Sequence, residues 1–304
     1  MRFALTILGA NAAMPASGRF PSAQVLQIGN QFFLIDCGEG AQIRMSDFQI
    51  PRYKINQIFI SHLHGDHVFG LPGLLFSYAL NDRVKPIEIF SPSGLREMIM
   101  AQLNPGGQLP FQLVFHEFDT SVSKLIFEND TVEVVTLPLL HRIPTAGFLF
   151  REKPKPRNML PEKILEYDLS IPQIKAAKVG EDILLNDGRK IQNSELTKVP
   201  PPTRSFAYVS DTAYYEKIVP LISDVDLLYH ETTFCEDLID MAQVTMHSTA
   251  LQAGRIAAMA NARKLITGHY SSRYRDVEVF RAEAQTVFPN TDLGLDGKVY
   301  EVTN

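Results

Sequence analysis

Short apolar runs rich in β-branched and aromatic residues recur along the chain: "FALTIL" at 3–8, "VLQIG" at 25–29, "FFLID" at 32–36, "QIFISH" at 57–62 and "IEIFSP" at 87–92. The second half continues with "VEVVTL" at 132–137, "FAYVSD" at 206–211, "LLYHE" at 227–231, "KLITGHY" at 264–270 and "KVYEV" at 298–302. Many are bounded by Gly, Pro, Asn or Asp, and each reads as a β-strand. Patterns of helical period lie between some of them, over Leu71–Leu80, Gly94–Leu103 and Ser248–Met259. Strands first, then strands alternating with helices, predict an α/β layered fold. No short internal period repeats along the chain.

Residues 151–204 break the rhythm. "REKPKPRNMLPEKILEYDLSIPQ" is dense in Pro and charge, with one short helical stretch around Pro161 to Tyr167, and "VPPPTR" closes it. The pattern predicts an insertion projecting from a single domain of residues 1–304. Charge separates it further. Residues 151–204 hold 11 Lys and Arg against 8 Asp and Glu, whereas the remainder holds 18 against 26. One segment is cationic on a protein of net charge −5. An overall acidic body does not advertise a nucleic-acid surface, so any phosphate contacts are expected from that segment.

The rest of the composition bounds the class. With 304 residues, 45% apolar and 21% charged, the chain reads as a soluble globular protein. No apolar run is long enough to span a membrane. "MRFALTILGANAAMP" mimics a signal peptide, but its charged start is weak and its apolar run short, so a first strand is preferred. Cys37 and Cys235 form no framework of disulfides or metal spacing, which fits packed thiols in a reducing cytoplasm.

The chemistry concentrates in "SHLHGDHVFG" at 61–70. Alternation along "QIFISH" puts His62 and His64 on one face of a strand end. Gly65 then breaks the strand, so Asp66 and His67 turn elsewhere. Such an arrangement addresses two metal ions roughly 3.5–4 Å apart. Imidazoles with carboxylates suit zinc, manganese or iron, and the absence of Cys argues against a purely structural zinc site. Four ligands cannot fill two shells. His141, Asp211 and His269 each end a strand and are the natural complement, with an aspartate able to give one oxygen to each metal. Two divalent ions would lower the pKa of a shared water and neutralise charge on a phosphoryl or carbonyl oxygen. Asp66 is placed to orient that water or take its proton. Glu231 and His247, in "HETTF" and "MHSTA", are the best remaining pair to supply a proton to the leaving group. His116 and His230 read as ordinary histidines.

"SHLHGDH" resembles the signature of the metallo-β-lactamase superfamily, which implies an αββα sandwich with its site at one sheet edge. "FLIDCGEGAQIRM", "SHLHGDHVFGLPGLL", "PLLHRIPTAGF", "VSDT", "HETTF", "HSTA" and "GHYSSRY" follow in order. Together they resemble the ribonuclease Z family of tRNA 3′ endonucleases, from about Phe3 to the C-terminus. The resemblance implies two Zn²⁺ per chain, or Mn²⁺ in their place. His62, His64 and His141 would hold one; Asp66, His67 and His269 the other; Asp211 would bridge. It implies Asp66 as general base and Glu231 with His247 as the proton-donating pair. Precursor tRNA would be cut to leave a 3′-hydroxyl, by a cytoplasmic homodimer in which the 151–204 arm grips the tRNA elbow. Two departures stand out. The Pro-Pro-Gly-Pro stretch usual in the arm is replaced by "SIPQIKAAKVG", and Ala41 stands where Thr is common. A hydrolase of the same fold acting on a small phosphodiester, sulfate ester or lactam is the alternative.

Overall fold

A computed structural model describes residues 1–103 and 109–303. The chain forms two compact units, residues 1–151 with 204–303, and residues 152–203.

The larger unit carries two seven-stranded mixed sheets. The first contains β1 (Phe3–Gly9), β2 (Ala23–Ile28), β3 (Gln31–Cys37), β4 (Ile55–Phe59), β5 (Ile87–Ser91) and β6 (Leu113–Glu117) in sequential order. The second begins with β7 (Leu125–Glu128), β8 (Val132–Pro138) and β9 (Ala146–Glu152). Four further short strands belong to the smaller unit: β10 (Asn158–Met159), β11 (Ile183–Leu184), β12 (Lys190–Ile191) and β13 (Thr197–Lys198). The second sheet resumes with β14 (Ser205–Val209), β15 (Leu227–Glu231), β16 (Leu265–Gly268) and β17 (Thr291–Leu293). Finally β18 (Val299–Glu301) returns antiparallel to the outside of β1 in the first sheet.

Helices cover both outer faces. α1 (Ala41–Asp47), the one-turn α2 (Gly65–Val68), α3 (Leu71–Leu80) and α4 (Leu95–Leu103) accompany the first sheet. α5 (Pro161–Glu166), α6 (Ile171–Lys178) and α7 (Asn193–Leu196) lie in the smaller unit. α8 (Ile239–Thr245), α9 (Ala250–Met259) and α10 (Glu278–Gln285) accompany the second sheet. Side-chain alternation explains the layering. Phe3, Leu5 and Ile7 point into a core shared with Phe148, Phe206 and Tyr208 of the second sheet. Leu8, Val25 and Leu34 point the other way, onto Met45 of α1 and Leu74 of α3. With both faces buried, these strands read as continuous apolar runs instead of alternating ones. The result is the αββα sandwich.

The strands expected from the sequence form, as do helices at 71–80, 95–103 and 250–259. Several elements went unread. β9 contains Gly147 and follows a Pro-Thr loop, which masked a strand. α1 is seven residues with no side-chain cap, and α10 opens on Val277, with Asp276 one position earlier accepting from the Glu278 amide, so neither has the usual capping residue at its start.

The smaller unit has a core of its own, made of Leu169, Ala177, Ile183, Leu185, Ile191 and Leu196. Ser170 and Gln173 form a capping box that starts α6. Among its described residues, Lys155 pairs with Glu152, Lys163 with Glu166, Arg189 with Asp187 and Lys190 with Asp182.

Candidate metal centre

Parallel pairing aligns the ends of β14, β15 and β16, so the loops that follow them open on one side. Asp211 lies just beyond β14, Glu231 ends β15 and His269 follows β16. The segment after β4 supplies His62 and His64. Asp66 and His67 sit on α2, as the break at Gly65 requires. His141 stands beyond β8, and His247 lies between α8 and α9.

Seven of these side chains converge in two groups with Asp211 between them, and His247 joins Asp211 and His269 in a third. In one, ligand atoms of His62, His64, His141 and Asp211 lie within 4.8 Å of one another. The other contains Asp66, His67 and His269. Asp211 divides its oxygens between them. Oδ2 lies 3.5 Å from His62 Nε2 and 3.9 Å from His141 Nε2. Oδ1 lies 3.4 Å from His67 Nε2 and 3.3 Å from His269 Nε2. Asp66 Oδ2 lies 3.4 Å from His269 Nε2. Four ligands around one zinc at roughly 2.1 Å would stand roughly 3.4 Å apart, the spacing of these atoms.

The donor chemistry fits as well. Asp211 Oδ1 is buried and has no hydrogen-bond partner, an expensive arrangement unless a cation faces it. The outward nitrogens of the rings are tethered, which turns the inward ones toward one another. His62 Nδ1 lies 3.0 Å from Ser61 Oγ, His141 Nδ1 donates to the Met246 carbonyl at 2.9 Å, and His269 Nδ1 meets Thr233 Oγ1 at 2.8 Å. Such tethers fix the tautomer of a metal-binding histidine. Burial pushes the His62, His64 and His141 pKa values down, keeping these rings neutral. For His67 burial acts in the same direction, but Asp211, Asp36 and Asp66 outweigh it and raise the pKa well above the ordinary value. A divalent cation would meet that same concentration of negative charge.

Asp36 is the residue the sequence reading missed. It is fully buried at φ 54° and organises the floor of the site. Its Oδ2 accepts from His67 Nδ1 at 2.7 Å, Tyr208 Oη at 2.6 Å and Ser61 Oγ at 2.9 Å. Its Oδ1 accepts from the Ser61 amide at 2.8 Å. The signal was an aspartate closing the apolar strand "FFLID", because a buried carboxylate needs partners. Thr233 is a second omission. Its hydroxyl links Glu231, His247 and His269 at 2.8–3.1 Å.

Glu231 is wholly buried and does not reach the cavity. It accepts from the amides of Thr212, Ser248 and Thr233, and its Oε1 lies 3.0 Å from His247 Nδ1. Burial lowers the His247 pKa, yet the Glu231 carboxylate more than offsets this and lifts it to about 8. The Asp66 carboxyl, although burial raises it, is held well below its usual range by His67 and His269. His64, Asp66, Asp211, His247 and His269 all line one cavity of about 460 Å³, with Phe69 and Arg142 on its wall. His116 instead stacks on Phe90 and faces Glu88 at the surface, and His230 is buried with Nδ1 donating to the Glu231 carbonyl. Cys37 and Cys235 are buried, their thiols pushed up by desolvation.

Comparison with known proteins agrees with this geometry. A family model described as anti-Pycsar protein Apyc1 matches residues 3–134. Ribonuclease Z of Bacteroides fragilis is 42% identical over 296 residues, covering 97% of each chain. Ribonuclease Z of Cytophaga hutchinsonii is 45% identical over 306 residues, covering 100% of this chain and 97% of its own. The crystal structure of the human short-form tRNase Z superposes with a TM-score of 0.72 at 27% identity, covering 99% of this chain and all of the other. A metallo-β-lactamase-fold protein of Bacillus subtilis, at 19% identity and TM-score 0.71 over 99% of this chain and all of its own, shares the fold. With whole-length relatives at this identity and a histidine–aspartate cluster at the edge of an αββα sandwich, the chain belongs to the ribonuclease Z family.

Proposed function

We propose that the protein is a metal-dependent endoribonuclease that removes the 3′ trailer of precursor tRNA, leaving a 3′-hydroxyl on the tRNA and a 5′-phosphate on the trailer. The observation that carries the chemistry is the shared carboxylate of Asp211, one oxygen aimed at each set of imidazoles. His62, His64 and His141 would hold one Zn²⁺, Asp66, His67 and His269 the second, with Asp211 between them. When bound, the two ions supply charge neutralisation at the phosphate and a lowered pKa for the attacking water.

The protein's own groups handle the protons. Asp66 Oδ2 is fixed by the Ala13 amide at 2.8 Å, and it takes the proton of the attacking water as the water oxygen bonds to phosphorus. The bond to the 3′-oxygen then breaks. That oxygen receives a proton from His247, which Glu231 keeps in its protonated form. Glu231 is thus a positioning residue: it acts through the imidazole and touches no substrate.

For the rest of the substrate, we place the tRNA grip on residues 151–204. The compact unit 152–203 carries 9 Lys and Arg against 8 Asp and Glu, because Arg151 and Arg204 fall outside it. Net charge is therefore a weak basis for the grip. Lys175, Lys178 and Lys198 make no ion pair among the described residues and are the cations free to meet phosphate. A homodimer and a cytoplasmic location, where precursor tRNA is made, complete the proposal. No helix among the described residues is long and apolar enough to cross a membrane.

The test is cleavage of a precursor tRNA with a 3′ trailer by the zinc-loaded protein, with both ends of the cut mapped. A single cut leaving a 3′-hydroxyl is expected. Absence of tRNA cleavage, with turnover of a small phosphodiester retained, would overturn the tRNA reading in favour of a small-ester hydrolase. Arg151 and Ser205 are register partners on β9 and β14, so a short turn can replace 153–203. That variant is expected to keep its metal and lose affinity for precursor tRNA.

A further inference from the structure

Phe69 is the part of this cavity that neither metal binding nor proton transfer uses. It caps α2, the turn that carries Asp66 and His67. Its ring lies against Gly65, where an added Cβ would come within 2.3 Å of the ring carbons. The ring is therefore seated on the backbone between two candidate ligands, His64 and Asp66. Despite that support, the residue is 63% exposed. A single exposed apolar side chain is ordinary on a protein surface. This one forms part of the wall of the cavity over the histidine cluster. The other aromatic ring on that wall, Phe234, is 5% exposed and offers no face. Arg142, on the same wall, is exposed and makes no ion pair among the described residues. One open aromatic face and one free cation thus border the place where a phosphate would sit. Unpaired nucleotides present the matching pair of features, because every base has a π-face and every linkage a negative charge.

We propose that Phe69 is a stacking platform for a base flanking the scissile phosphate, holding the unpaired 3′ end of the precursor in register with Asp66 and His247. The proposal rests on the RNA-cleaving reading above. It makes Phe69 a determinant of substrate positioning, with no part in metal binding.

The test uses the zinc-loaded protein and precursor tRNA carrying 2-aminopurine on either side of the cleavage site. Stopped-flow fluorescence before the cleavage phase reports stacking. Wild type is expected to quench the probe at one of the two positions. Phe69→Ala is expected to abolish that quench and raise KM roughly tenfold, the weight of one base–aromatic stack. Its zinc content is expected to stay at the wild-type level. Phe69→Tyr is expected to restore both quench and KM, and Phe69→Leu neither. A wild type that cleaves but quenches at neither position would overturn the proposal, as would Phe69→Leu performing like Phe69→Tyr. If zinc content falls in Phe69→Ala, Phe69→Leu and Phe69→Tyr decide, since both keep apolar bulk over Gly65 and only Tyr keeps a ring to stack. A wild type that cuts no precursor at all would instead overturn the RNA reading itself.

Discussion

His67 meets Asp36 at 2.7 Å, and Lys163 meets Glu166 at 2.7 Å. The first pair is wholly buried beneath the metal centre; the second lies at the surface of a helix of the smaller unit, with Glu166 exposed and Lys163 half-buried. The same distance carries different consequences. In the buried site, removing one partner strands a charge away from water, and the Asp36 carboxylate is tied to three other groups as well. On the exposed helix, water replaces either partner at once. The contrast extends over both regions. The metal centre is a mesh in which nearly every side chain answers to two others. The smaller unit is a small apolar core with charge pairs distributed over its surface. Chemistry is specified in the first by geometry; the recognition proposed for the second would rest on a few lysines without an ion pair among the described residues.

The comparison breaks most violently at Asp211. Asp211→Ala removes a ligand from both groups at once, so bound metal is expected to fall and cleavage to vanish. Elemental analysis beside a cleavage assay checks this. Retention of two ions with wild-type turnover would show that Asp211 is not the bridge. Next in size is His247→Ala. General acid catalysis contributes about 10²–10⁴-fold, so kcat is expected to drop by that factor with metal content unchanged. A drop confined to KM would assign His247 to binding. Asp36→Asn keeps the shape and removes the charge behind His67. Loss of such an outer partner costs about 10–100-fold in metal affinity or activity, measurable by competition with a chelator.

Asp36 also shows where sequence reading stops. His62, His64, Asp66 and His67 are legible because four metal-binding residues crowd six positions. His141, Asp211 and His269 are legible because each follows an apolar strand run. Asp36 follows such a run too, yet nothing local says that its carboxylate turns toward His67, 31 residues away. Thr233 is still quieter, since a threonine two residues after a glutamate carries no chemical signal of its own. The strands of the sandwich core were readable from apolar runs with clear stops. β9, α1 and α10 were not: β9 contains Gly147, α1 has no side-chain cap, and α10 opens on Val277 instead of a capping residue. The charge of residues 151–204 was read from the sequence as a block, but two of its cations belong to the sandwich. Arg151 faces Glu133, and Arg204 donates to the carbonyls of Met1 and Val302.

In the smaller unit the expected effects are modest and confined to RNA. Lys175 and Lys178 stand one turn apart on α6. The double substitution to Ala is expected to raise KM for precursor tRNA several-fold and to reduce the salt dependence of binding by about one per lost phosphate contact. Turnover of a small phosphodiester should not change. An equal loss on both substrates would mean that these lysines act through the fold and not on the RNA.

The smallest effect expected is at Lys163. Lys163→Ala removes the half-buried partner of Glu166, together with an ammonium 5.5 Å from the centre of the Tyr167 ring. Exposed pairs three or four residues apart contribute little, because side-chain ordering and water screening consume most of the attraction. No measurable change is expected in melting temperature, metal content or cleavage of either substrate. The value of the variant lies in its pairing with Asp36→Asn, since the two disrupt contacts of equal length. If Lys163→Ala lost precursor binding while Asp36→Asn kept its metal, distance and not burial would govern what a charge pair does here, and the division between a geometric centre and a sparsely specified second unit would fail.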